Sequence, residues 1–223
     1  MRIFVAEYVC GGGWPRHEFA GSLAVEGRAM LGALVEDLSR VSGVQVVTTW
    51  DTRLGPHPFR NVRVFVPGRG LYSRRREYVQ AIERLALRCD ATLLIAPEFD
   101  GILFDLCHRV ETIGGTLLSP ASAAVQLCSD KLTLAAVLEA AGMPTIPTRL
   151  LSWDAASRLE ASRDVLHFPV VIKPRDGAGS QCNHLIRNWS EFERLRSFWV
   201  LMGEPVRSSG SLISRGGRFR LHF

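Results

Sequence analysis

Lysine is nearly missing from this chain: of its 27 basic residues only Lys131 and Lys173 are lysine, and the rest are arginine. Also missing is any uncharged apolar run of about eighteen residues, the length that an ordinary membrane-spanning helix needs. The start, Met1-Arg2-Ile3-Phe4-Val5-Ala6-Glu7, meets an acid too early for the apolar region of a signal peptide. The cysteines (Cys10, Cys89, Cys107, Cys128 and Cys182) are odd in number and scattered, with no C-x-x-C pair and no histidine spaced to complete a zinc site. The six histidines form no H-E-x-x-H helix motif. These absences argue against a disulfide framework and against a metal held by His or Cys. They predict a soluble, cytoplasmic protein with reduced thiols and no membrane partner.

What is present is ordinary globular material, 47% hydrophobic and 22% charged over 223 residues, enough for one large domain or two smaller ones. The net charge of +5 invites a nucleic-acid reading, but residues 203–223 alone hold four arginines against one glutamate, +3 of that total. The remainder is nearly balanced. Arg74-Arg75-Arg76, the only dense basic run before that tail, opens an expected helix and reads as a solvated face, so no nucleic-acid partner is expected.

Hydrophobic periodicity gives a coarse map. Strands are expected at 2–6, 45–49, 62–66, 91–96 and 116–118, and helices at 22–40, 73–88 and 102–113. A glycine turn, Gly11, Gly12 and Gly13, follows the first strand. Strands alternating with helices predict an α/β fold, an open and mainly parallel sheet covered on both faces. Near Ser119-Pro120 the order of elements changes. Helices at 121–127 and 131–141, the latter stopped by Gly142 and Pro144, lead to strands at 147–151, 169–173 and 183–186 and helices at 153–162 and 190–198. The expected units are 1–118, 119–198 and a C-terminal segment, 199–223. No internal repeat is visible.

Where lysine is so scarce, the two survivors carry information. Lysine is a compact point charge with three donors, suited to a phosphate oxygen in a tight pocket where a guanidinium fork needs more room. Lys173 ends an expected buried strand, Phe168-Pro169-Val170-Val171-Ile172-Lys173, and Pro174-Arg175-Asp176-Gly177-Ala178-Gly179-Ser180-Gln181 follows it directly. Small residues let backbone N–H groups approach an anion, so strand, ammonium and glycine loop read as one phosphate-binding unit. The loop is neither a Walker A sequence nor a dinucleotide fingerprint. A hairpin turn in which Gly177 and Gly179 merely supply positive φ is the alternative.

Lys131 lies in Ser129-Asp130-Lys131, and after its helix comes Ala141-Gly142-Met143-Pro144-Thr145-Ile146-Pro147-Thr148. Together with the segment at 168–180, this resembles the ATP-grasp superfamily. The resemblance implies that Lys131 and Lys173 contact ATP phosphates and that Asp176, Gly177, Ala178, Gly179, Ser180 and Gln181 form a mobile loop over them. At the N-terminus, Phe4 to Gly13, Ser22-Leu23, Glu26-Gly27-Arg28-Ala29-Met30 and Ala96-Pro97-Glu98 look like the ATP-grasp proteins related to tyramine–glutamate ligase. That likeness implies a leading, pre-ATP-grasp domain and then a partial ATP-grasp α+β domain. Glu7, Gly11, Gly12, Gly13 and Glu98 would face the substrate cleft. In an open α/β sheet, ligands bind at the carboxyl ends of strands. A surface or capping role for Glu7 and Glu98 stands as the alternative.

The implied chemistry joins a small-molecule carboxylate to an amine, with ATP and Mg²⁺ as cofactors and a homo-oligomer as one possible state. The pattern also requires a second sheet with an adenine-binding hinge and acidic Mg²⁺ ligands, which are expected beyond the end of this chain. No catalytic or metal-binding residue is therefore assigned, and an inactive chain is expected. Residues 199–206 match the hinge strand poorly, and 203–223 lack strand alternation, which predicts a poorly ordered, aberrant tail from a truncated or frame-shifted end. Cys182 stands where a glycine is more usual. Two rival readings are a non-catalytic nucleotide-binding fragment and a dinucleotide-dependent oxidoreductase. The second is suggested by the glycine turn, although that turn lacks the G-x-G-x-x-G spacing.

Overall fold

The computed structural model describes residues 1–14, 21–67, 74–151, 167–177, 182–202 and 211–215, and the backbone alone for 74–75, 199–202 and 211–215. Expected helix 153–162 and loop residues Ala178, Gly179, Ser180 and Gln181 lie outside the described residues. The chain divides into two compact units, Met1–Gln126 and Leu127–Phe223.

The first unit is built on a sheet of order β3-β2-β1-β4: β1 (Arg2–Glu7), β2 (Gln45–Thr49), β3 (Arg63–Phe65) and β4 (Ala91–Ile95). Every pairing is parallel. β1 is central and buried from Ile3 to Glu7, which is why its sequence is a continuous apolar run rather than an alternating one. Its side chains nonetheless divide by parity. Ile3 and Val5 join Leu31 and Val35 of α1 (Gly21–Ser39), with Val46 and Trp50, in one core. Phe4 and Ala6 join Tyr78 and Ile82 of α2 (Arg74–Ala86) and Leu106, Cys107 and Val110 of α3 (Ile102–Thr112) in the other.

The expected strand at 116–118 is reduced to one parallel bridge, Thr92 to Leu117. Ser119, read as the start of the second unit, is tied to the first, its Oγ accepting from Leu94 N at 2.8 Å. Ser122, the first residue of α4 (Ser122–Ser129), donates from its backbone N to Glu111 Oε1 at 2.9 Å, and Val125 sits in the first unit's core. These bonds explain why the division falls after Gln126 rather than at 118.

The second unit holds α5 (Lys131–Ala140) and a sheet of order β5-β8-β6-β7. The strands are β5 (Thr148–Leu151), β6 (Val170–Pro174), β7 (His184–Ile186) and β8 (Ser211–Arg215). All its pairings are antiparallel. Val170, Ile172 and Ile186 pack with Phe192 of α6 (Trp189–Met202). α5 starts at an Asp130 cap and stops before Gly142, whose φ of 70° is the left-handed value that ends helices.

The tail corrects the sequence reading. Residues 211–215 form a strand hydrogen-bonded to β5 on one side and to β6 on the other. The residues from 199 to 202, expected near a hinge strand, continue α6. β8 is a central strand because its neighbours supply two ladders of backbone partners, and such pairing overrides weak local alternation. The expected lack of a strand in this segment does not hold at Ser211–Arg215.

Candidate functional site

Each unit has a glycine-rich turn after a strand, and the two are built differently. In the first unit the chain leaves β1 through a π-helical turn, Val9–Gly13, closed by Gly13 N donating to Tyr8 O at 2.9 Å. Asp51 N donates to Cys10 O at 2.7 Å, and Arg53 Nη2 to Trp14 O at 2.7 Å, so the end of β2 clamps the turn from one side. Arg53 is held in turn by Asp51, with Nε 2.9 Å from Oδ2. All three glycines are buried. A Cβ on Gly11 would collide with Thr49 Oγ1, and one on Gly13 would lie 2.5 Å from the Tyr8 ring and 2.9 Å from Tyr78 Cδ1. Glycine is needed here for close approach inside a core.

Glu7 shares that interior. It is 2% exposed, and its Oε2 accepts from Cys10 N at 2.5 Å. Burial pushes its carboxyl above the usual value, partly offset by the backbone N–H groups of Cys10 and Val9. The same burial, with Glu7 beside it, pushes the Cys10 thiol up to about 12, which leaves it inert as a nucleophile. Gly27 on α1 leaves the room that Glu7 fills, since a Cβ there would lie 2.6 Å from Glu7 Cδ. Glu7 and the three glycines, read as cleft-facing, are thus packed within the first unit, while Glu98 is exposed in the loop after β4.

In the second unit, two of the predicted residues, Lys131 and Gly177, meet just after β6. Lys173 is half-buried and, by strand alternation, lies on the face opposite the buried Ile172. Gly177 has φ of 111° and no described residue within 4 Å of its Cβ position, so it needs glycine for its backbone conformation. Cys182, across the loop, has φ of 57°, the left-handed value that makes glycine the easier residue there. Lys131, far away in sequence, reaches this turn: its Nζ donates to Gly177 O at 3.0 Å and to Arg175 O at 3.4 Å. Its backbone N also donates to Arg175 O at 3.2 Å.

Asp130 and Arg175 are the partners that sequence reasoning missed as a pair. Arg175 donates from Nε to Asp130 Oδ1 at 2.8 Å and from Nη2 to Oδ2 at 2.5 Å, a bidentate fork. Asp130 also accepts from Leu132 N, Thr133 N and Thr133 Oγ1 at 3.0, 3.2 and 2.7 Å. The Arg175 guanidinium and the Thr133 donors hold the Asp130 carboxyl well below the usual carboxylate range. The only sequence signal was position: one residue caps a helix just before a lysine, and the other follows a strand lysine by two.

Comparison with known proteins agrees with this architecture. Residues 44–125 match the pre ATP-grasp 3 domain family. A biotin carboxylase of Nostoc sp. is 31% identical over 105 residues, 47% of this chain and 22% of that protein. Among solved structures, an ATP-grasp superfamily protein from Archaeoglobus fulgidus superposes with a TM-score of 0.60 at 19% identity, covering 97% of this chain and 53% of that one. N5-carboxyaminoimidazole synthetase from Staphylococcus aureus, solved with ADP, gives 0.59 at 17% identity, covering 96% and 47%. The chain thus spans about half the length of these solved relatives and matches about a fifth of the curated one. The match to the pre ATP-grasp 3 domain family lies within the first unit, and over the chain as a whole the fold is similar to that of ATP-grasp proteins.

Proposed function

We propose that the second unit binds the phosphates of ATP, as part of an ATP-dependent ligase that joins a small-molecule carboxylate to an amine. The observation that carries this is that Lys131, at the N-terminus of α5, reaches the turn that follows directly on Lys173 and β6, these being the only two lysines of the chain. Lys131 spans 46 residues to reach Gly177 O, and an ammonium held at a turn of this kind is a strong donor to a phosphate oxygen. The donor set suits a polyphosphate: two point charges and a glycine turn with no described residue within 4 Å of the Gly177 Cβ position.

ATP, when bound, supplies the γ-phosphoryl group that activates the substrate carboxylate for attack by the amine. The protein's part is positioning and charge neutralisation. Lys173 and Lys131 neutralise phosphate charge, and the Gly177 turn brings backbone close to it. Mg²⁺ is the metal such chemistry uses, but the described residues do not fit it: no group of three His, Cys, Asp or Glu stands together among them, and Asp130 is already saturated by five donors. The substrate pair, an acid and an amine, is the class that the likeness to tyramine–glutamate ligase implies. Glu98, exposed after β4 at the carboxyl end of the parallel sheet, is the described acid best placed to meet it.

Lys173→Met tests the reading. ATP affinity measured by calorimetry should fall by about 1.5–3 kcal/mol, the range for a hydrogen bond to a charged group. Equal affinity in variant and wild type would count against it.

A further inference from the structure

We propose that the Asp130–Arg175 ion pair is a positioning device for the nucleotide site: it locks the base of the glycine turn onto the start of α5, so that the Lys131 ammonium is presented at the turn. This rests on the nucleotide reading above and adds to it two residues that would not touch ATP.

Three features of the geometry support it. The fork is bidentate, and Arg175 in the same turn of chain gives its carbonyl oxygen to Lys131 N. Side chain and backbone of one residue therefore fix both Asp130 and Lys131, which adjoin in sequence. Asp130 in turn cannot swing away, because its carboxylate also caps α5 through Leu132 N and Thr133 N. A planar guanidinium gripped at two points sets an orientation as well as a distance. Finally, Lys131 Nζ already rests on Gly177 O, two residues beyond Arg175. The ammonium is thus held beside the turn before any phosphate arrives, and preorganisation of this kind lowers the cost of ordering on binding. The pair is about one third exposed on each side, at 32% and 27%, so its value lies in geometry more than in raw Coulomb attraction.

If Arg175 acts through Lys131, its effect must disappear when Lys131 is gone. The full chain is titrated with ATP as wild type, Arg175→Met, Lys131→Met and the double variant, with thermal midpoints recorded alongside. Arg175→Met should weaken ATP binding about tenfold in the wild-type background and less than about twofold in the Lys131→Met background. Arg175→Lys, which keeps the charge but loses the fork, should recover only part of the affinity. Asp130→Ser keeps a helix cap while removing the carboxylate; it should match Arg175→Met and serves in its place should that variant fold poorly. Equal losses in both backgrounds, or a lowered thermal midpoint with unchanged affinity, would leave the pair a structural strut and overturn the inference alone. A folded wild type that binds no ATP would overturn the nucleotide reading and this inference with it.

Discussion

The two glycine-rich turns of this protein look alike in sequence and are opposite in physics. The first, after β1, is a sealed turn whose glycines make room for Tyr8, Thr49 and Tyr78. The second, after β6, has Gly177 with no described residue within 4 Å of its Cβ position; its φ of 111° is matched by the 108° of Gly12 in the first turn, so the two differ in packing and not in that backbone angle. Their carboxylates differ in the same sense. Glu7 is buried and shifted up by desolvation, whereas Asp130 is partly exposed and shifted down by Arg175 and Thr133. Glycine after a strand is therefore no signal by itself. What separates the two turns is packing: the glycines of the first are enclosed by Tyr8, Thr49, Pro67 and Tyr78, whereas no described residue lies within 4 Å of the Cβ position at Gly177.

The largest effect that would sharpen this contrast comes from adding one methyl group to each turn. Gly13→Ala places a carbon between two buried rings and should destabilise the first unit by about 3 kcal/mol. Gly177→Ala meets no described residue within 4 Å and should cost the strain of its backbone conformation, about 1–2 kcal/mol. Denaturant unfolding of both variants checks the order, and equal losses would break the comparison.

A smaller effect is in pH dependence, where the two carboxylates should act with opposite sign. Glu7 has a raised folded-state pKa, so its contribution is complete below the ordinary value of about 4.3 and is lost as pH rises through the folded-state value. Asp130 has a lowered one, so its contribution is complete above about 3.9 and is lost as pH falls toward the folded-state value. Native-state hydrogen exchange at Val5 and at Ile172 should therefore shift in opposite directions between acid and neutral pH. Glu7→Gln should remove the Val5 component alone, and parallel shifts at both sites would contradict the assignment. The smallest effect belongs to the solvated pair of Arg40 with Glu36, both about two-thirds exposed. Arg40→Ala should change stability by under about 0.5 kcal/mol, and a larger loss would mean that surface charge matters more here than either turn.

Much of the fold could be read from periodicity. The strand at 2–6 was legible, although as an alternating strand and not as a fully buried one; 91–96 reads as a buried strand, and Gly142 with Pro144 marks the end of α5. β8 escaped because Ser211 to Arg215 has little apolar content and owes its strand to partners on both sides. The bonds of Ser119 and Ser122 back to Leu94 and Glu111, which tie this stretch to the first compact unit, are contacts that no local pattern reports. In the site, lysine scarcity pointed to Lys131 and Lys173, but the 45-residue separation of Asp130 from Arg175 kept their pairing out of view. The burial of Glu7 was also illegible, since it depends on the space that Gly27 leaves on a different element.

The central claim is that nucleotide phosphates are held by the second unit and not by the glycine turn of the first. Amide hydrogen exchange of the full chain with and without saturating ATP tests it most directly. The account predicts slowed exchange at 131–133 and 175–177, with no change at 8–14. Protection at 8–14 without any at 131–133 and 175–177 would contradict it.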